Sequence, residues 1–422
     1  MREIIQIQVG GCGNRIGFKF WEYISLEHKV DRNKPYHDSC GNADIYFSET
    51  LDGKYIPRNI CVDIIDEDLT NIKSSDISCM ANTNNVGLNN QESRGIWVKG
   101  HYTLGPELCV MVMENIRKET EKCESLCGFQ IMHSTGGGCG AGTGTLIASI
   151  LREEYSDKCI QSFSVFNKNQ CSKIPLEPYN EILTMNQLIE NFDGCFIFDN
   201  SAILNNFQIH SKSTQSYENI NSVIVQASSN ITSLYRTSSQ ITLKKLLNNL
   251  SPFPRTHFFS TNLFPIYIPE LRACKTYCED ELIFETFHNK RSLSDESSSL
   301  SKILSAYNVV RKKSCNEVHL RESLSCVEKR HNRCFKSWIP ESFYYHNTNV
   351  LLKGFYESTA LVSNSTSITK LFENILSKFN YLYKKNAFLW YFTQEGMDKM
   401  EFTGASANLQ DIIDEYYLHH NL

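Results

Sequence analysis

Six glycines fall within nine positions between Gly136 and Gly144, and no other feature of the chain points so directly to chemistry. Each glycine inside a helix or strand costs about 0.5–1 kcal/mol relative to alanine, so the run predicts a loop. The strand-like segment Phe129–Ser134 precedes it, and apolar residues at helical spacing follow it. A glycine loop between a strand and a helix presents bare backbone N–H groups to a phosphate. The residues expected to contact phosphate here are Ser134, Gly137, Gly138, Cys139 and Gly140.

The spacing of these glycines differs from two well-known phosphate loops. The dinucleotide fingerprint has other spacings and an acidic residue about 20 positions later, and a Walker loop continues with Gly-Lys-Ser/Thr. Neither pattern is present in this run. A tight strand-to-helix connection without a ligand is the alternative interpretation.

A second strand–glycine–helix unit opens the chain. The alternation in Ile5–Val9 predicts a strand, and Gly10, Gly11 and Cys12 follow it as further candidates for nucleotide contact. Asn14 is expected to cap the next helix. The apolar face of that helix consists of Ile16, Phe20, Trp21 and Ile24.

Three more apolar segments predict strands, namely Ile60–Ile65, Gln161–Phe166 and Gly194–Asp199. Strands that alternate with helices indicate an α/β fold with a mainly parallel sheet covered on both faces. Ligands bind such sheets at the carboxyl ends of the strands. The residues expected near those ends are Asn14, Asp63, Ser134, Gly138, Asn167 and Asn200.

Length, charge and cysteine content describe a soluble globular protein with two or three packed domains. The chain has 422 residues, 41% of them hydrophobic, and a net charge of −5 that does not favour nucleic acid as a partner. No apolar run approaches the roughly 20 residues that span a bilayer, so we expect no membrane association. The opening Met1-Arg2-Glu3 does not suit a signal peptide, and 16 cysteines then indicate reduced cytoplasmic thiols. Free thiols are a better interpretation than zinc ligands for the two C-x₃-C pairs, Cys123/Cys127 and Cys274/Cys278.

The composition changes after about residue 205. Residues 210–242 are rich in Ser, Thr, Asn and Gln but keep apolar spacing, which predicts a long helix. Ser251–Arg255 is a rigid break, and Ser292–Ser301 is a serine-rich surface loop. The patterns of Lys370–Asn380 and Asn408–Tyr417 predict C-terminal helices.

Several segments together resemble the tubulin family over nearly the whole chain. The segments are Met1–Ile4, Cys12–Asn14, Lys99–Thr103, the glycine loop, Glu177–Asn180, Pro252–Arg255, Trp338–Pro340 and Glu395–Thr403. The opening Met-Arg-Glu-Ile is similar to the β chain, and Lys245 falls where the α chain carries the glutamate that acts on its neighbour's GTP. The resemblance is therefore to a divergent β-tubulin.

The resemblance implies a Rossmann-like GTPase domain over residues 1–205, a core helix and α+β intermediate domain over 206–370, and C-terminal helices over 371–422. It also implies GTP or GDP as the nucleotide, α-tubulin as the partner, and the microtubule lattice of the cytoplasmic cytoskeleton as the location. Hydrolysis of GTP would be completed in trans by a glutamate of α-tubulin.

The guanosine end of the family's site matches this chain. Asn200 and Asn221 align with the two residues that hydrogen-bond guanine, Tyr217 with the aromatic residue that stacks on it, and Glu177 with the carboxylate that contacts ribose. An Asn side chain offers both a donor and an acceptor, which suits a base edge. Each residue alone could equally be an ordinary polar or core residue, and their common register favours the functional interpretation.

The phosphate end departs from the family. Gly11 replaces a glutamine, Ile65 replaces a glutamate that helps to position Mg²⁺, and Cys139 replaces a threonine in the glycine loop. Asp63 and Asp66 are the carboxylates left to hold Mg²⁺, which needs hard oxygen ligands. We therefore expect weak Mg²⁺ binding and impaired hydrolysis, with nucleotide binding less affected.

Three functions follow from these matches and changes, of which a self-sufficient NTPase is the weakest, because no resident general base is apparent beside the loop. The first is a structural β-like subunit that pairs with α-tubulin and assembles into microtubules. The alternative is a degenerate pseudo-GTPase that binds α-tubulin without forming ordinary microtubules. The changed segment Phe264–Thr276, where lateral contacts are expected, favours the alternative, whereas Pro252–Arg255 and Glu395–Thr403 favour the first. The family's long acidic tail is missing after Leu422.

Overall fold

The computed structural model describes residues 2–30, 42–64, 86–88, 93–167, 174–208, 216–238, 240–267, 277–294, 301–313, 316–336, 338–339, 341–351 and 357–421. The strands are β1 (Glu3–Val9), β2 (Phe47–Glu49), β3 (Tyr55–Pro57), β4 (Asn59–Asp63), β5 (Val86–Leu88), β6 (Leu126–Ser134), β7 (Cys159–Phe166), β8 (Gly194–Asp199), β9 (Phe258–Phe264), β10 (Ile303–Lys312), β11 (Phe343–Thr348) and β12 (Glu357–Ser365). The helices are α1 (Gly10–Glu27), α2 (Gly105–Glu121), α3 (Gly144–Glu154), α4 (Glu177–Asn191), α5 (Asn200–Gln208), α6 (Tyr217–Arg236), α7 (Leu243–Leu250), α8 (Glu279–Thr286), α9 (Glu317–His331), α10 (Thr369–Tyr383), α11 (Trp390–Thr393) and α12 (Lys399–Asn421).

Ten of the described strands form one sheet, in the spatial order β11-β10-β12-β9-β8-β7-β6-β1-β4-β5. Neighbouring strands from β9 to β5 pair in parallel, whereas β12 pairs antiparallel with both β9 and β10. The predicted α/β fold with a mainly parallel sheet is confirmed, and the five predicted strands lie close to their expected positions. β8 and β9 pair directly, with Cys195 opposite Phe258. The sheet therefore includes strands from both sides of residue 205, the expected end of the GTPase domain.

Helices cover both faces of the sheet. One apolar cluster joins it to α2, α3, α4, α10 and α12, and a second joins it to α1, α6 and α7. Helix α6 matches the expected core helix, because nearly all of its residues after Glu218 are buried. Its many polar side chains bond back to the helix itself, as Ser228 does to the carbonyl of Ile224 at 2.8 Å. Its described extent, Tyr217–Arg236, is shorter than the predicted helix over 210–242, and residues 209–215 lie outside the described part.

The expected cap at Asn14 is wrong. Helix α1 begins at Gly10, directly after β1, and Asn14 lies inside it with its side chain fully buried. The sharp turn into the helix occurs at Gly10, whose φ of +75° favours glycine. Helix α1 also lies very close to β6, since a Cβ on Gly13 would stand 2.2 Å from the carbonyl oxygen of Met132.

The expectation that the glycine run is entirely loop is also wrong in part. Residues Cys139–Thr143 form a π-helical turn that leads into α3 at Gly144. Glycine is needed there for close packing, because a Cβ on Gly142 would stand 2.3 Å from the carbonyl oxygen of Trp97. The lack of room for a side chain between these segments outweighs the low helix propensity of glycine.

A buried charge cluster joins the two halves of the chain. Glu27 at the end of α1 accepts hydrogen bonds from Arg236 at 2.9 Å and from Arg311 of β10 at 3.1 Å, and Ser229 of α6 donates to it at 2.5 Å. The side chains of both arginines and of Glu27 are 0% exposed. The nearby guanidinium groups hold the pKa of Glu27 at about 2, so its carboxylate stays ionised.

Replacing Glu27→Gln keeps the side-chain shape but leaves two buried guanidinium groups without a counter-charge. We expect the free energy of unfolding to fall by about 3–5 kcal/mol, the usual cost of breaking a buried ion pair. Urea unfolding would measure this loss. Glu121→Gln, which breaks an exposed pair with Arg117, is the matched control and should change the unfolding free energy by less than about 1 kcal/mol. Equal effects of the two substitutions would contradict this account of the cluster.

Candidate functional site

Five parallel strands end at one edge of the sheet, and the predicted site residues follow those ends. β1 ends before Gly10, β4 ends at Asp63, β6 ends at Ser134, β7 ends before Asn167, and β8 ends before Asn200. This is the edge at which α/β sheets bind their ligands. The structure therefore places residues of the glycine run, the α1 start and the α5 start along one edge, as expected.

The two glycine segments are in direct backbone contact. A Cβ on Gly10 would stand 2.9 Å from the backbone nitrogen of Gly140, and one on Gly138 would stand 2.6 Å from Oγ of Ser93. Gly137 is different, because among the described residues its Cβ would meet nothing closer than Oγ of Ser134 at 3.8 Å. Gly137 is thus the position where the loop turns an open, side-chain-free backbone to its surroundings, as a phosphate site requires.

Asn180 of α4 fixes this loop, although it was not among the predicted site residues. Its side-chain oxygen accepts from the backbone N–H of Trp97 at 3.0 Å, and its amide donates to the carbonyls of Gly95 at 2.7 Å and Gly136 at 2.8 Å. The side chain is fully buried, so these bonds are shielded from water. The sequence signal that could have identified Asn180 is its position in the family segment Glu177–Asn180, which forms the first turn of α4.

His133 supports the same loop from β6. Its Nδ1 lies 3.1 Å from the carbonyl oxygen of Gly140 and donates to it, and Nε2 accepts from the hydroxyl of Ser164 at 2.9 Å. Burial lowers the pKa of His133 to about 4. The imidazole is therefore neutral near pH 7, and both nitrogens are already used in holding the loop.

Asp63 lies beside the glycine loop but is already engaged. The amide of Asn14 donates to its Oδ2 at 3.4 Å, and the thiol of Cys139 bonds to the same carboxylate. Burial and this carboxylate raise the pKa of Cys139 well above its usual range, so the thiol keeps its proton. Asp66 and Ile65 lie outside the described residues.

The described donor set fits Mg²⁺ poorly. Mg²⁺ in nucleotide sites is bound through one or two carboxylates besides the phosphates. Asp63 has only 4% of its surface exposed and already accepts from Asn14 and Cys139, so it has little capacity left for a metal ion. No step below is therefore assigned to a metal.

The guanine-site residues lie in the first turns of two helices. Asn200 begins α5 and is half-buried, Tyr217 begins α6 with 63% of its surface exposed, and Asn221 lies one turn further along α6. An exposed aromatic ring at a helix start is free to stack on a base. Lys19 connects α1 to the start of α6, since its Nζ donates to the carbonyl of Glu218 at 2.9 Å.

Glu177 lies against the glycine run in the first turn of α4. A Cβ on Gly136 would stand 2.5 Å from its Oε1, so glycine is required for this approach. One turn later Glu181 is buried, and burial together with the Glu177 carboxylate raises the pKa of Glu181 to about 8. Glu181 is therefore mainly protonated near pH 7.

Comparisons with known proteins agree with this geometry. The family model for the "Tubulin/FtsZ family, GTPase domain" matches residues 3–208. The family model for the "Tubulin C-terminal domain" matches residues 254–377. The tubulin beta chain of Candida albicans is 37% identical over 99% of this chain and 94% of its own length. The nucleomorph tubulin beta chain of Guillardia theta is 37% identical over 99% and 96%, and the tubulin beta-6 chain of Gossypium hirsutum is 35% identical over 99% and 94%.

This chain belongs to the tubulin family. It is a divergent member on the β-tubulin branch, as the sequence motifs indicated. The tubulin GTPase domain makes GTP and GDP its nucleotides. Among the helices of the described ranges, none combines the length and apolar character needed to cross a membrane.

Alanine substitutions at two adjacent glycines separate ligand space from packing space in this tubulin. Gly137→Ala should leave the free energy of unfolding unchanged within about 0.5 kcal/mol, because its Cβ fits. It should weaken GTP binding by about 1–3 kcal/mol, because the methyl group occupies the face open to phosphate. Gly138→Ala, the matched control, should instead lower stability by about 1–3 kcal/mol through its clash with Ser93. Nucleotide titration and urea unfolding measure both effects, and full GTP affinity in Gly137→Ala would contradict the loop assignment.

The buried histidine predicts how stability depends on pH. The folded pKa of His133, about 4, lies below its unfolded value of about 6.5. Its contribution is therefore fully present above about pH 6.5 and is lost as the pH falls toward 4, by at most about 1.4 kcal/mol per pH unit. Unfolding midpoints between pH 7 and pH 4 should fall less steeply in His133→Gln than in the unmodified chain. An unchanged slope in His133→Gln would show that this histidine is not responsible.

Proposed function

We propose that this chain is a β-like structural subunit that binds GTP at the described edge, pairs with α-tubulin and assembles into microtubules of the cytoplasmic cytoskeleton. The observation that carries the proposal is the side-chain-free backbone at Gly137, in a glycine run that packs against the start of α1. The helix that begins with Asn200 starts at the same edge of the sheet. The matches to beta chains over 99% of the sequence support a subunit with both tubulin domains rather than a GTPase domain alone.

Within this proposal, the roles of the site residues follow their positions. Backbone N–H groups of Gly10, Gly11, Cys12 and of Gly137–Gly140 bind the phosphates, aided by the hydroxyl of Ser134. Asn200 and Asn221 hydrogen-bond guanine, Tyr217 stacks on it, and Glu177 contacts ribose. Asp63 and Asp66 supply a weak Mg²⁺ site at most, since Asp63 already accepts from Asn14 and Cys139.

Hydrolysis by the chain alone is proposed to be slow. A general base must be free to take a proton from water. Among the described side chains at this edge, His133 uses both nitrogens in the fold, Asp63 is engaged, and Glu181 holds its own proton near pH 7. The glutamate of an α-tubulin subunit would supply the missing group in trans, which couples hydrolysis to assembly.

The face proposed to meet α-tubulin lies around the start of α7. Lys244 and Lys245 are exposed there, and the backbone N–H of Lys245 is capped by Thr242 at 3.0 Å. The neighbouring Pro252–Arg255 segment is held in place on α12, where Arg255 pairs with Glu415 at 2.6 Å.

Two aromatic residues near this face differ in their role. Phe253 stacks on His419 of α12 at 4.2 Å and packs against Trp338 at 5.5 Å, so it is largely a packing residue. Trp338 has 45% of its surface exposed and is the better candidate for contact with a partner. Pro340 lies outside the described part of the chain. Residues 268–276, most of the changed segment where lateral contacts are expected, also lie outside it, so that segment does not bear on this proposal.

Charge reversal at Lys245 tests the pairing. Lys245→Glu should weaken recovery of α-tubulin by roughly tenfold, because it places a like charge against the phosphates of the nucleotide that α-tubulin holds. Lys329→Glu, on the exposed side of α9, is the matched control and should leave recovery unchanged. The measurement is pull-down with α-tubulin, together with the melting temperature of each variant.

Full α-tubulin recovery by a folded Lys245→Glu chain would refute this interface. Co-sedimentation with assembled microtubules separates the two functions. A chain that recovers α-tubulin but stays out of the polymer would support the alternative, a pseudo-GTPase that binds α-tubulin without forming ordinary microtubules.

A further inference from the structure

A pocket of about 360 Å³ lies between the turn Trp97–Tyr102, helix α4 and helix α12. This volume is within the range of small-molecule sites, roughly 300–1,000 Å³. Its wall consists of Trp97, His101, Tyr102, Leu183, Asn186, Gln187, Glu401, Gly404, Ala405 and Asn408. None of these is a nucleotide-site residue, so the pocket and its ligand are independent of the proposed function.

One side of the pocket is aromatic. The rings of Trp97 and His101 stack with centroids 4.2 Å apart and planes inclined by 14°, and Tyr102 packs edge-on against Trp97. Nδ1 of His101 is fixed by the carbonyl oxygen of Gly142 at 3.1 Å, which holds the ring in this stack. Stacked rings form a rigid, flat surface that costs little entropy when a ligand binds.

The charge of the pocket is negative. Among its described lining residues Glu401 is the only one with a formal charge, because burial lowers the pKa of His101 and keeps it neutral near pH 7. The hydroxyl of Tyr102 donates to Oε2 of Glu401, and the backbone N–H of Asp398 donates to Oε1 at 3.2 Å. The carboxylate is thus held in place at the helix start with lone pairs to spare.

A glycine keeps the pocket open. Gly404 lies on the exposed side of α12, inside a 23-residue helix, where glycine costs about 1 kcal/mol relative to alanine. A Cβ at Gly404 would meet no atom of the described residues within 4 Å, so neither packing within the described part of the chain nor backbone conformation requires glycine there. What its missing side chain provides is space beside Glu401 and Ala405.

We propose that this pocket binds a small organic cation with a flat apolar body. The cationic group lies at Glu401, next to the face of Tyr102, where a carboxylate and an aromatic ring both favour positive charge. The flat body lies against the stacked pair Trp97–His101, with Leu183 and Ala405 beneath it. Amides of Asn186, Gln187 and Asn408 provide hydrogen bonds to polar groups at its rim.

Anions and neutral molecules fit this pocket less well. An anion would face the fixed Glu401 carboxylate with no Lys or Arg among the described lining residues to offset it. A neutral molecule would gain the stacking surface alone and would forgo the charge-assisted hydrogen bond. Net positive charge is therefore the property that distinguishes the ligand class.

Benzamidine is a suitable probe, because it is a flat aromatic cation, and benzamide is its neutral counterpart of nearly equal shape. Isothermal titration of the full chain with bound GTP should give a Kd of about 1 mM for benzamidine, as expected for a ligand of this size. Benzamide should bind at least about tenfold more weakly. Equal affinity of the two compounds would overturn the charge argument.

Paired variants assign the binding to this pocket. Glu401→Gln keeps an oxygen for the Asp398 N–H and should weaken benzamidine binding by roughly tenfold. Gly404→Leu fills the opening and should abolish binding. Asp411→Asn and Ala407→Leu make the same kinds of change on exposed positions of α12 outside the pocket and should keep full affinity.

GTP affinity is measured on the same samples and should be unchanged in all four variants, which separates pocket loss from misfolding. Benzamidine binding that survives Gly404→Leu, or that is lost equally in Ala407→Leu, would overturn the proposal.

Discussion

Contact of backbone with backbone is the constraint on which the nucleotide edge depends. Gly10 lies against Gly140, Gly13 against the carbonyl of Met132, and Gly100 against the carbonyl of Gly138, where an added Cβ would stand 2.1 Å away. At these approaches there is no room for a side chain between the segments. The start of α1, the glycine run and the turn at Gly100 therefore occupy positions fixed by main-chain geometry. The buried side chains of Asn180 and His133 hold the glycine run in place through hydrogen bonds to its backbone.

This arrangement explains why the altered phosphate end is compatible with binding of GTP. The replacements at Gly11 and Cys139 change side chains, whereas the donors expected to meet phosphate belong to the backbone. Cys139 has also acquired a partner, since its thiol bonds to Asp63. The protonated thiol thus bonds to the Asp63 carboxylate at the end of β4, and this carboxylate is less available to other ligands.

Much of the fold was readable from the sequence, because strand alternation and glycine breaks are local signals. The segments Gln161–Phe166 and Gly194–Asp199 gave strands where expected. The start of α1 and the π-helical turn at Cys139–Thr143 were misjudged for one reason, since glycine was taken as a helix breaker where close neighbours demanded it.

The sequence predicted the kind of site and its glycine loop, but not the side chains that hold the loop in place. Asn180 meets Gly95, 85 positions earlier in the chain, and His133 bonds to Ser164, 31 positions later. Periodicity carries no record of such pairings. The pocket beside Glu401 was invisible for the same reason, since its walls come from three separated segments and depend on a missing side chain at Gly404.

The Glu27 cluster has a consequence for how the chain is made. Glu27 is synthesised early, Arg236 follows 209 residues later and Arg311 follows 284 residues later. At about 5–20 residues per second the carboxylate waits roughly 15–60 s before its last partner leaves the ribosome. Burial of the α1 end is costly until Arg236 supplies the first counter-charge, and the cluster is complete only once Arg311 of β10 has been made. The order of the sequence thus places the last contact of a cluster that begins in the first helix within the second half of the chain.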